Sequence, residues 1–140
     1  PSNVVRSGDV RRMVSGLVPL SSFKGRTPEA ARQWLSTYVK NVPMPQESIR
    51  LVKGETGYTP DRQHQLARLT LQDSVGEMTL VMISAADQVD GLEQGNGQFK
   101  QGMIEDMHCV AWTDHGCAML LIGDRSSAEL QTVANSIVVR

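Results

Sequence analysis

Four residues near the C-terminal end are of types that bind metals or carry redox chemistry: His108, Cys109, His115 and Cys117, with Met103, Met107 and Met119 nearby. Imidazole, thiolate and thioether donors suit copper or zinc, so one reading is a soft-metal or redox site. The spacing fits no zinc pattern such as C-x2-C. Adjacent strand residues point to opposite faces, so His108 and Cys109 cannot both face one ion without distortion. A surface turn histidine beside a core filled with Met and Cys accounts for the same residues more simply. We therefore expect no metal and no cofactor. In an oxidising compartment a Cys109–Cys117 disulfide comes to mind. A hairpin turn centred on Asp114-His115 would set Trp112 opposite Cys117 and Cys109 opposite Leu120. The two Cα atoms would then lie about 10 Å apart at ~3.3 Å per residue, beyond disulfide reach, so two buried, unbridged thiols are expected.

Catalytic constellations are sparse. Asp87, Asp90, Glu93, Glu105 and Asp106 form an acidic neighbourhood, and His64 stands alone. A nucleophile and its base need mutual hydrogen-bond geometry, and no G-x-S-x-G or H-E-x-x-H motif supplies it. Gly95-Asn96-Gly97 lacks the strand-to-helix junction and the Lys-Ser of a phosphate loop. The expectation is a protein that is not an enzyme, with no catalytic residues. The exposed tract around these glycines could instead meet a protein partner.

The elements that must position these residues centre on Met103 to Asp124. Two runs of strand formers, His108–Thr113 and Cys117–Ile122, flank Asp114-His115-Gly116, a tight hairpin turn. Ala118–Ile122 is apolar on both faces, as in a strand covered on both sides. Gly123-Asp124 ends it, and Ser126-Ser127-Ala128-Glu129 opens a helix whose inner face is Leu130, Val133, Ala134 and Ile137. At 140 residues the chain is one domain, 1–140. Its 14 basic and 15 acidic residues leave no electrostatic footprint for nucleic acid. No apolar run approaches the roughly 20 residues of a membrane span, so no direct membrane insertion is expected. The chain begins at Pro1 without a signal-peptide pattern, as expected of a processed or trimmed polypeptide.

In Asp9–Leu17, Val10, Met13, Val14 and Leu17 share one helical face. Thr27-Pro28-Glu29 then opens a helix whose stripe is Ala30, Trp34, Leu35, Tyr38 and Val39, stopped by Pro43 and Pro45. From Ser48 the period changes to two: Ile49 and Leu51 alternate with Arg50 and Val52, ending at Gly54 or Gly57. Leu66–Gln72 is a strand with Ala67, Leu69 and Leu71 inward, Asp73–Gly76 a turn, and Met78–Ile83 its return. Between Ser84 and Gly102 the polar, glycine-rich sequence predicts a long loop, the most mobile internal segment and the first to be cut by a protease. The resulting architecture is α+β: an antiparallel sheet of about five strands, with an N-terminal-half helix bearing Trp34 and a C-terminal helix packed on it. The chain is expected to be a monomer or weak dimer.

Four segments in order resemble the extracytoplasmic C-terminal domain of bacterial zinc-type transmembrane anti-sigma factors. They are Gln33-Trp34-Leu35-Ser36 with Val42-Pro43 and Pro45; Ile49-Arg50-Leu51-Val52 with Gly54; Leu71-Gln72-Asp73 with Gly76 and Met78-Thr79-Leu80; and Ala111-Trp112 with Gly116, Gly123-Asp124 and Glu129-Leu130. Family members carry a cytoplasmic zinc-binding domain that sequesters a sigma factor, one membrane helix, and then this domain outside. The HxxxCxxC motif of the cytoplasmic part is absent here, so this chain alone is not expected to hold a sigma factor. Members often have a His in the helix before the Trp-Leu-Ser helix, where this sequence reads Val10-Arg11-Arg12-Met13. The resemblance implies a non-enzymatic sensory or regulatory domain on the periplasmic side of the inner membrane, tethered in the full-length protein. Its partners would be protein partners of the parent membrane regulator. The competing reading is a stand-alone periplasmic metal- or redox-binding protein that uses the Cys/His/Met-rich hairpin.

Overall fold

A computed structural model describes residues 4–5, 21–22, 43–44, 49–59, 64–86, 88–89, 91–95, 97–104, 106–114, 117–135 and 137–139. Short strands β1 (Val4–Val5), β2 (Ser21–Ser22) and β3 (Pro43–Met44) precede the long ones. The long strands are β4 (Arg50–Tyr58), β5 (Gln65–Gln72) and β6 (Glu77–Ser84), followed by the short β7 (Gln88–Val89) and β8 (Glu93–Gln94). Then come β9 (Lys100–Ile104), β10 (Met107–Asp114), β11 (Cys117–Gly123), helix α1 (Ser127–Asn135) and β12 (Val138–Val139). Eight strands form one sheet in the order β2-β4-β5-β6-β11-β10-β9-β8. It joins two antiparallel meanders, β4–β6 and β8–β11, along the β6–β11 seam, where Leu80 faces Leu121 and Met82 faces Met119. The expected sheet of about five strands is therefore too small. The two predicted N-terminal helices, Asp9–Leu17 and the one bearing Trp34, lie outside the described residues.

Alternation explains why the sheet has two interiors. On one face Ala67, Leu69, Leu71, Met78, Leu80, Met82, Val110, Trp112, Met119 and Leu121 form a core with Leu130 and Ala134 of α1. On the other, Leu66, Val81, Ile83, Cys109, Ala111, Leu120 and Ile122 gather with Ala86 and Val89. Strand β11 lies between them, and all seven of its residues are buried, as its unbroken apolar run requires. Strand β5 is apolar on the first face, while its second face carries Arg68, half-buried and paired with Glu55 across the β4–β5 ladder, Nη2–Oε1 2.9 Å.

Three sequence expectations are corrected. The β10–β11 pairing is not centred on Asp114-His115, because Asp114 is itself paired with Cys117, Trp112 with Met119 and Cys109 with Ile122. The register is shifted by two residues from the expected one, which preserves every side chain's face. Of the two ends expected for β4, Gly54 is overturned and Gly57 falls one residue short: a register shift between Leu51 and Lys53 carries the strand on to Tyr58, with Gly54 buried opposite Leu69. Finally, Ser84–Gly102 is not one long loop but holds β7, β8 and the start of β9, pinned by the buried Ala86, Val89 and Phe99. The Phe99 ring meets Trp112 edge-on, centroids 5.7 Å apart at 75°. The C-terminal helix stands as expected through Leu130 and Ala134, with Ile137 reaching the same core from just beyond its last turn.

Candidate functional site

The four candidate metal-binding or redox residues are dispersed. Cys109 lies in the second core and Cys117 in the first, on opposite faces of the sheet, and neither is in a disulfide. Their strands pair so that Cys109 stands five register positions from the level of Cys117, farther than the expected register implied. Burial pushes the Cys109 thiol up to about 12, which keeps it protonated. His108 is exposed, directly across from Met103, which is 57% exposed, and its Nδ1 lies 3.4 Å from the Ser127 hydroxyl at the start of α1. His115 lies outside the described residues. No group of three or more His, Cys, Asp or Glu suited to an ion is present among the described residues.

The remaining candidates have structural surroundings. His64 is buried at the base of the β4–β5 hairpin, where its Nδ1 is 2.9 Å from the Ser84 carbonyl. A carbonyl only accepts, so Nδ1 carries the proton in this bond. Across the same hairpin base the Thr59 amide donates to the His64 carbonyl (2.9 Å) and the His64 amide to the Thr59 hydroxyl (3.2 Å). Glu93 and Asp106 are exposed, and Asp87, Asp90 and Glu105 lie outside the described residues. In the glycine tract, Gln94 donates its side-chain amide to the carbonyls of Gly97 (3.1 Å) and Phe99 (3.3 Å). That amide, together with the Gly95 amide bonded to the Phe99 carbonyl at 2.9 Å, closes the turn on itself.

The most organised polar arrangement is one that the spacing of residues gave no sign of. Arg125, just after β11, grips Asp73 in the β5–β6 turn with two parallel bonds, Nη1–Oδ2 2.8 Å and Nη2–Oδ1 2.9 Å, and reaches the Gly76 carbonyl at 3.3 Å. Asp73 Oδ1 also accepts the amides of Val75 (3.0 Å) and Gly76 (3.1 Å). The side chains of Arg125 and Asp73 are only 5% and 17% exposed. The Arg125 guanidinium, helped by the two turn amides, holds the Asp73 carboxyl well below its ordinary range, against the opposing pull of burial. Beside this clamp, Gly123 lies under α1: a Cβ there would stand 3.2 Å from Met78 Cγ and 3.4 Å from Leu130 Cδ2. Ser126 caps the helix, accepting the Glu129 amide at 3.2 Å while its own amide meets the Glu129 carboxylate at 3.4 Å. The corner is a bidentate charge clamp, a close-packed glycine and a capping box, an arrangement that locks α1 to the sheet rather than one that exposes reactive atoms.

Tyr58, Val75 and Met103 are the most exposed large apolar side chains among the described residues, and they stand on separate strands and turns. None of the described helices is long and apolar enough to cross a membrane. A scan of the chain against protein-family models finds no match, and neither a curated protein nor a solved structure matches it.

Proposed function

We propose that this chain is a non-enzymatic extracytoplasmic sensory or regulatory domain of a zinc-type transmembrane anti-sigma factor, acting through protein contacts of its parent regulator. The observation that carries the reading is where the resembling residues fall. Asp73, Gly76, Met78, Gly123 and Leu130 come from two separate segments of the resemblance, and they meet in the single corner that docks α1. Gly54, from a third segment, and Trp112, from the same segment as Gly123 and Leu130, are both buried on the ladders. The shared residues are thus those needed to build one particular sheet-and-helix core, which is what relatives with different signals would have in common. The dispersal of His108, Cys109 and Cys117 favours this reading over a metal or redox protein built on the hairpin.

The test is an in-frame deletion of the codons for 4–139 in the gene that encodes the full protein, with genome-wide transcript levels as readout. The reading expects a coherent set of transcripts sharing one promoter type to change, with the basal state restored by supplying the domain in its native context. Unchanged transcripts under envelope and oxidative stress alike would rule the reading out. Metal analysis of the purified chain separates the competitor, which requires stoichiometric copper or zinc that is lost from a Cys109→Ser/Cys117→Ser double variant.

A further inference from the structure

The two faces of the sheet have separate cores, and each core holds one cysteine. Cys117 lies in the core that contains Met119, Leu121 and, from α1, Leu130 and Ala134. Cys109 lies in the other core with Ala86, Val89, Ala111 and Leu120. On that second face β7 packs against β10 and takes β1 as a parallel neighbour, Val4 beside Gln88 and Val5 beside Val89. A parallel pair of two residues is weak anchorage compared with the seven-position ladder between β10 and β11. The chain also leaves β6 and approaches β8 through left-handed residues, Ala85 at φ 54° and Gly91 at φ 90°, so the segment carrying β7 is bounded by two sharp bends. For Ala85 that conformation is strained.

We propose that β1 and β7 form a strap over the second face of the sheet, and that its detachment opens that face and uncovers Cys109 while the face beneath α1 stays closed. Helix α1 has the Arg125–Asp73 clamp, the Ser126 cap and Leu130 to hold it, none of which involves the strap. Cys117 and Cys109 therefore report on two separable openings. The regulatory meaning rests on the function proposed above. The strap itself does not depend on that reading, and its test uses the chain alone.

The experiment is pulse alkylation of the folded, reduced chain with N-ethylmaleimide, reading Cys109 and Cys117 separately by peptide mass and normalising each rate to the denatured chain. In the unaltered chain Cys109 should react faster than Cys117. Deleting residues 1–5 should raise the Cys109 rate about tenfold, the scale of one to two strand hydrogen bonds, with Cys117 changed less than about twofold. A Val4→Cys/Gln88→Cys variant, oxidised to lock β1 to β7, should slow Cys109 by a similar factor and recover on reduction. Equal rates at the two cysteines that move together in every variant mean that only global unfolding exposes them, and the strap is refuted. If the deletion unfolds the chain, the locked variant decides alone: an unchanged Cys109 rate refutes the strap. A negative result here leaves the transcript test untouched, and a negative transcript test leaves the strap standing.

Discussion

Asp73 and Arg125 show how much a single side-chain pair can carry. A carboxylate held by a bidentate guanidinium and two turn amides has its pKa depressed on folding, so its contribution is present above the unfolded value near 3.8 and is lost as pH falls toward the folded value. Arg125→Ala leaves a largely desolvated carboxylate without its partner, and we expect a loss of about 2–3 kcal/mol, between an exposed and a fully buried pair. Asp73→Asn should also destabilise at neutral pH, and its deficit relative to the unaltered chain should shrink as urea titrations move from pH 7 to pH 3. A deficit that stays constant over that range would mean that the charge is not what matters. A second residue-scale prediction concerns Ala85, exposed and at φ 54°. Removing its Cβ by Ala85→Gly relieves the left-handed penalty, and we expect about 1 kcal/mol of stabilisation, read as a higher denaturation midpoint with an unchanged m-value. The sequence places Asp73 in a turn and among the residues of the resemblance, but it gives no sign of Arg125 as its partner or of a left-handed Ala85. Asp73 and Arg125 are 52 positions apart, and no periodicity or motif ties a turn aspartate to an arginine after a distant strand.

Elements were read more successfully where one strong local signal decided them. Strand β11 announced itself by being apolar at every position, β5 by strict alternation, and α1 by Ser126 followed three residues later by Glu129. For β4, Gly54 reads as a breaker, whereas the bulge at Val52 turns it inward against Leu69 and the strand runs on to Tyr58, just past Gly57, the other end the sequence offers. In Ser84–Gly102 the apolar residues are few, which is why the sequence predicts a loop there. Ala86, Val89 and Phe99 each fill a place in a core that the surrounding polar sequence conceals. For α1 the balance of packing and capping can be measured. Leu130 is fully buried, so Leu130→Ala should cost about 2–4 kcal/mol, while Ser126→Ala should cost only about 1 kcal/mol. The order of the two thermal midpoints checks this; a larger loss from Ser126→Ala would mean that α1 is held by its cap and not by its apolar face.

At the scale of the molecule, the α+β class, the doubly covered central strand and the absence of a disulfide between Cys109 and Cys117 follow from the sequence, and the register error left all three intact because a slip of two keeps each side chain on its face. Thiol titration of the denatured, unreduced chain should find both cysteines reactive. The expected contribution of Trp34 falls on residues outside those described. What no pattern in the chain could convey is how the two meanders meet, since the β6–β11 seam depends on apolar surfaces from strands more than thirty residues apart. The proposed regulatory role is a property of the whole protein and is best tested there. The full-length gene product should be purified from membranes with and without residues 4–139, and the sigma-factor content of each preparation quantified. The expected result is a stoichiometric sigma factor with the intact protein, and an altered amount when this domain is removed or destabilised by Leu130→Ala. A protein that retains no sigma factor under any of these conditions would contradict it.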